Sequence, residues 1–188
     1  MILLSAHKDT IMNHYNLSFK DGKFVGLLDN MIGMLAVNSL ITEDPSISYL
    51  EKQNKVGVFF GSFEEWGLDH DFPKLTKKDL VIVVDVCIGK QYDKYDFSME
   101  NIHGIPAHKI NEVVENLEWE GFKVLKKKYT GKIEDEDEAF KWVKKGIPVL
   151  SFIIPIEGES WHQDNCSISV EKFNKCKQGL RRAINYLL

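Results

Sequence analysis

Two periodicities divide the chain. Residues 80–86, Leu-Val-Ile-Val-Val-Asp-Val, form its most continuous apolar run. A β-branched run without alternation suits a strand covered on both faces, as in a parallel sheet. Residues 2–6, 55–60 and 148–155 predict three more strands of this kind, and 96–102 and 122–129 predict two further ones. Between them the apolar spacing changes to that of a helix. Met31, Met34, Leu35, Val37, Leu40 and Ile41 predict a helix that starts after Asp29-Asn30 and stops near Asp44-Pro45. Either Asp29 or Asn30 stands where an N-cap belongs. Ile110, Val113, Val114 and Leu117 mark a helix over 107–120, closed by Gly121. Residues 139–145 predict a short helix stopped by Gly146. Residues 169–188 predict a last one, with Phe173, Leu180, Ile184 and Leu187 inward. Residues 10–22 read as polar loop with an Asp21-Gly22 turn, and 132–138 as a solvated stretch of mixed charge.

Strands alternating with helices predict an α/β three-layer sandwich: a mostly parallel central sheet with helices on both faces. No repeat, low-complexity tract or linker divides the 188 residues, so one domain is expected over 1–188. The apolar fraction of 44% is ordinary for a globular chain, and a net charge of −4 supplies no basic field for nucleic acid or an anionic membrane. No apolar run approaches the roughly 18 residues of a membrane span. Cys87, Cys166 and Cys176 are an odd number without a CxxC pair, which suits free thiols in a reducing, cytoplasmic setting. Cys166, close after His162, lacks the strand-to-helix elbow that would present a nucleophile.

Open α/β sheets collect ligands beyond the carboxyl ends of their strands. His7 and Asp9 follow the first predicted strand. Asp29 follows the apolar stretch 26–28, Glu64 and Glu65 follow the strand over 55–60, Asp85 ends the next, and His162 lies in the loop after the last. Two imidazoles and several carboxylates at one rim form a donor set for divalent zinc, or for cobalt or manganese. In His7-x-Asp9 the two side chains face one way on an extended chain, so Asp9 can accept the second ring N–H of His7. In Glu64-Glu65 one acid can bind metal while its neighbour acts as a general base.

These stretches carry a resemblance. Ala6-His7-Lys8-Asp9-Thr10, Leu28-Asp29-Asn30-x-x-Gly33, Glu64-Glu65-x-Gly67-Leu68, Val84-Asp85, Gly146-Ile147-Pro148 and His162 are similar, in order, to the motifs of the di-zinc co-catalytic aminopeptidases of the M28/M42/M20 metallopeptidase clan. The resemblance implies a zinc-peptidase-like, phosphorylase/hydrolase-like fold and a zinc-dependent exopeptidase acting on a peptide or related amide. It implies two zinc ions: His7 on one, His162 on the other, Asp29 bridging, and Glu65 and Asp85 each completing a site. Glu64 would be the general base, with Asp9 orienting His7. It also implies a cis peptide between Asp29 and Asn30. Substrate-binding residues are not indicated.

The gaps between motifs leave no room for the lid domains that the M20 and M42 branches insert, so the chain most resembles a minimal M28-type catalytic domain. The helix and strands that usually precede the His-x-Asp strand are missing from the sequence. Either the chain is a shortened form whose N-terminal strand is covered by a partner copy in a homo-oligomer, or it is a fragment. An alternative to the enzyme is a shortened, weakly active or inactive paralogue serving as a metal-binding or assembly subunit. Asp137-Glu138-Ala139 stands where the family has a small hydroxyl residue and an aspartate, and Asp69-His70 replaces the usual Gly-Ser after the Glu-Glu motif.

Overall fold

The computed structural model describes residues 1–8, 16–62, 72–128, 138–160 and 162–188. In chain order the strands are β1 (Ile2–His7), β2 (Leu17–Lys20), β3 (Lys23–Gly26), β4 (Val56–Gly61), β5 (Leu80–Cys87), β6 (Phe97–His103), β7 (Val124–Lys128), β8 (Val149–Pro155) and β9 (Cys166–Ser169). The helices are α1 (Met31–Glu43), α2 (Pro45–Lys52), α3 (Ala107–Trp119), α4 (Glu138–Lys144) and α5 (Val170–Leu187), with a single 3-10 turn at Lys90–Tyr92.

Six strands form the central sheet in the order β4-β1-β5-β8-β6-β7. All neighbours run parallel except β6 and β8. The predicted α/β sandwich is the fold observed. Both faces are buried, which is why the strand sequences read as unbroken apolar runs. Leu4, Ile82, Val84, Leu150 and Phe152 face a large core shared with α1, α2, α3 and α5. Leu3, Val81, Val83 and Val149 face a smaller core built on α4, where Trp142 is fully buried. Phe72 meets the Trp142 ring edge-on at 4.7 Å.

β1 occupies an interior position. It is hydrogen-bonded to β4 on one side and β5 on the other, so no partner is needed to cover it. The expectation of an exposed N-terminal strand is corrected: the edge on that side of the sheet is β4. Four further elements, α2, β2, β3 and β9, went unread in the sequence. Asp44 accepts from the amides of Ser46 and Ile47 and starts α2 with Pro45 in its first turn. β2 and β3 form a hairpin through Asp21-Gly22, both at positive φ as the tight turn requires. β9 adds to it, making a small antiparallel sheet. Glu138, expected in a solvated stretch, is fully buried at the start of α4.

Candidate metal centre

The register of the central sheet builds the first half of the site. Ser5 pairs with Val83, so two residues further along each strand His7 and Asp85 stand level at the carboxyl rim. Their side chains share the face that carries Leu3, Val81 and Val83. The His7 ring is buried, and its Nε2 lies 3.6 Å from Asp85 Oδ1. The amide of Val86 donates to that same oxygen at 2.7 Å and holds the carboxylate in place.

Asp29 enters from the loop before α1. The peptide between Asp29 and Asn30 is cis, as the resemblance implied. The two candidates for the N-cap divide the work. Asn30 caps the helix, its Oδ1 accepting from the Gly33 amide at 2.9 Å while its Nδ2 donates to the Val84 carbonyl at 2.7 Å. That pair of bonds ties the start of α1 to β5 and leaves Asp29 free to turn to the rim. Gly33 is part of the same joint: a Cβ there would stand 2.5 Å from the Val84 oxygen.

Asp29 spreads its carboxylate between two imidazoles. Oδ1 is 3.1 Å from His7 Nε2, and Oδ2 is 3.2 Å from Nε2 of His162, in the loop leading to β9. His162 is about one-third exposed, whereas Asp29 is almost fully buried. Burial is the main force raising the Asp29 pKa, opposed by its hydrogen bond to His7, with the nearby Asp85 charge pushing the same way as burial. Two carboxylates and an imidazole packed this closely, largely out of water, repel or leave charge unpaired unless a cation joins them.

The donor set fits such a cation. One atom each from His7, Asp29 and Asp85 lie within 4.8 Å of one another, and the three can hold a metal ion. Tetrahedral zinc with ligand bonds of about 2.0–2.1 Å sets ligand atoms roughly 3.3 Å apart. The His7–Asp29 and His7–Asp85 separations of 3.1 and 3.6 Å bracket that value. Asp9, Glu64 and Glu65 lie outside the described residues.

One acid near the site, read in the sequence only as part of the Asp137-Glu138-Ala139 departure and of a solvated stretch, is buried instead. Glu138 is fully buried close to Ser5 and His7, and its pKa is pushed up to about 7, by burial above all. The Trp142 indole donates to its Oε1 at 3.3 Å, and Oε2 has no hydrogen-bond partner among the described residues. An acid at the first position of an apolar helix was the available signal. All three cysteines are buried, and Cys166 Sγ donates to the Ser160 carbonyl.

No family model matches the chain, and no curated protein does. Solved structures resemble its fold at low identity. The TET aminopeptidase from a marine-sediment thaumarchaeote superposes with a TM-score of 0.60 at 15% identity, covering 90% of this chain and 52% of its own. PhTET1, solved as a dodecamer, gives 0.58 at 16% identity, over 93% of this chain and 54% of its own. An aminopeptidase from the archaeon Desulfurococcus kamchatkensis gives 0.58 at 13% identity, over 90% and 51%. The chain spans about half the length of these structures, and what it shares with them at this identity is the fold. No helix among the described residues is long and apolar enough to cross a membrane.

Proposed function

We propose that the chain is a metal-dependent hydrolase, an exopeptidase that removes residues from a free N-terminus or cleaves a related amide. The observation that carries this reading is the Asp29 carboxylate, shared between the imidazoles of His7 and His162 with Asp85 alongside. One carboxylate facing two histidines is the arrangement a pair of ions needs. That the structures similar in fold include aminopeptidases supports the same class.

In this reading His7 and His162 would each hold one ion, Asp29 would be shared between them, and Asp85 and Glu65 would complete the two sites. When bound, two zinc ions, or cobalt or manganese in their place, polarise the scissile carbonyl and make water acidic enough to react near neutral pH. The remaining work falls to the chain. Glu64 takes the proton from the attacking water and delivers it to the leaving amine. Asp9 orients the His7 ring through its second nitrogen. The buried wall around His7 holds the ring in place. Three buried cysteines, an odd number, fit a reducing cytoplasmic setting.

A panel of aminoacyl and amide substrates with added zinc, cobalt or manganese tests the reading. Glu64→Gln should retain metal by elemental analysis and lose about 10²–10⁴-fold in kcat, the usual worth of a general base. Asp29→Ala should lose both ions and all turnover. Metal bound by the wild type with no hydrolysis of any substrate would leave a metal-binding paralogue in place of the enzyme.

A further inference from the structure

His7 and His162 are held by different means. His7 ends β1, which is hydrogen-bonded to a strand on each side, and its ring is buried. His162 belongs to no helix or strand. It lies between Glu157 and Ser167, which exchange two backbone hydrogen bonds of 2.8 Å. Yet its Nε2 stands 3.2 Å from one Asp29 oxygen, against 3.1 Å for His7 and the other. Ordering loop backbone costs entropy, which contacts within the loop must offset.

Such a contact comes from Cys166, the first residue of β9. It is fully buried. Its Sγ donates to the Ser160 carbonyl at 3.1 Å, and the Gln163 amide donates to the same sulfur. One thiol thus grips the backbone on both sides of His162. The chain is folded tightly about it: at Gly158, whose φ is +156°, an added Cβ would stand 2.9 Å from the sulfur and 3.2 Å from Ile88 Cδ1. The position of Cys166 in its ladder matters as well. It pairs with Gly26 of β3, and Asp29 follows three residues later. The ladder that anchors the thiol therefore also anchors the segment that brings the shared carboxylate.

We propose that Cys166 is a positioning residue for His162: its thiol holds the loop so that the imidazole faces Asp29 before an ion binds. The inference rests on the metal reading above, and it assigns the pre-forming of the second ion's site to one side chain. A thiol can do this because its S–H donates while its sulfur accepts. Contacts that orient a metal-binding histidine from behind are worth about 10–100-fold in metal affinity. Removing the thiol should therefore weaken the ion held by His162 and leave the one held by His7 and Asp85.

Zinc titration of the chelator-treated chain, followed by NMR of the histidine rings, tests it. In the wild type the His7 and His162 signals should both respond to zinc. Two variants remove the donor: Cys166→Ala, and Cys166→Val, which also fills the space. In both, His162 should respond only at about 10–100-fold higher zinc, with His7 unchanged. The Gln163 amide should exchange faster in both before zinc is added. Cys166→Ser, which keeps a donor and an acceptor, should restore the wild-type pattern. Cys176→Ala controls for the loss of a buried thiol: Cys176, in α5, is as buried, and its Sγ also donates to a carbonyl at 3.1 Å, that of Asp96. It should leave both histidines as in the wild type. The proposal is overturned if His162 responds at wild-type zinc in Cys166→Ala and Cys166→Val, if Cys166→Ser is as weak as they are, or if Cys176→Ala is. A wild type in which neither histidine responds to zinc overturns the metal reading, and the positioning role with it.

Discussion

At the scale of single residues, Glu138 is the group whose protonation the fold controls. Burial raises its pKa from 4.5 to about 7, against the pull of Ser5, His7 and Trp142. The sign for stability follows. Below pH 4.5 the acid is protonated in both folded and unfolded chains and costs nothing. Between 4.5 and about 7 the unfolded chain releases the proton and the folded chain keeps it, so stability falls as pH rises, and above about 7 the loss is complete. At about 1.4 kcal/mol per pKa unit this amounts to a few kcal/mol. Urea denaturation of the chelator-treated protein at pH 5 and pH 8 should show that fall, and Glu138→Gln should remove most of it. Part should remain, because Asp29 is raised in the same direction. The sequence showed the acidic character of this position but not its burial, which depends on Trp142 of α4 docking under β1.

At the scale of elements, the site depends on how closely two helices approach the sheet. α1 abuts β5 at Gly33, where an added Cβ would lie 2.2 Å from the Asn30 side chain and 2.5 Å from the Val84 carbonyl. α5 abuts β6 at Gly179, where it would lie 2.2 Å from the Phe97 ring. Either Gly→Ala change should destabilise by about 1–3 kcal/mol, the cost of overpacking. Only Gly33→Ala displaces the joint that sets Asp29. Thermal melts together with zinc titration should therefore show a lowered Tm in both variants, and weakened zinc binding in Gly33→Ala alone. The elements that escaped the sequence reading escaped for local reasons. β2, β3 and β9 have four residues each, too few for a period to declare itself. α2 begins on the Asp44-Pro45 pair that was read as the end of α1. Asp-Pro is equally an N-cap followed by a first-turn proline, and here it serves both as stop and as start.

At the scale of the whole molecule, the centre draws on distant parts of the chain, so filling it should stabilise the fold. A ligand that binds only the folded state adds RT ln(1 + [L]/Kd), about 2.7 kcal/mol at a hundredfold excess over Kd. Zinc should raise the melting temperature, a chelator should reverse the rise, and Asp29→Ala should abolish it, as read by calorimetry. Glu64→Gln should keep the shift, which separates holding the metal from using it. The sequence by itself determined the longer strands and helices, with His7 and Asp85 near the ends of two of the strands. Continuous apolar runs need cover on both faces, helical spacing needs a sheet to pack on, and polar residues that end such strands collect at one rim. It did not determine the neighbours. That β1 lies inside the sheet and β4 at its edge, that Ser5 pairs with Val83 and so sets His7 level with Asp85, and that one Asp29 carboxylate reaches both histidines are products of strand order, register and docking. These are pairings between segments far apart in the chain, chosen by the packing of the whole core, and no local pattern encodes them.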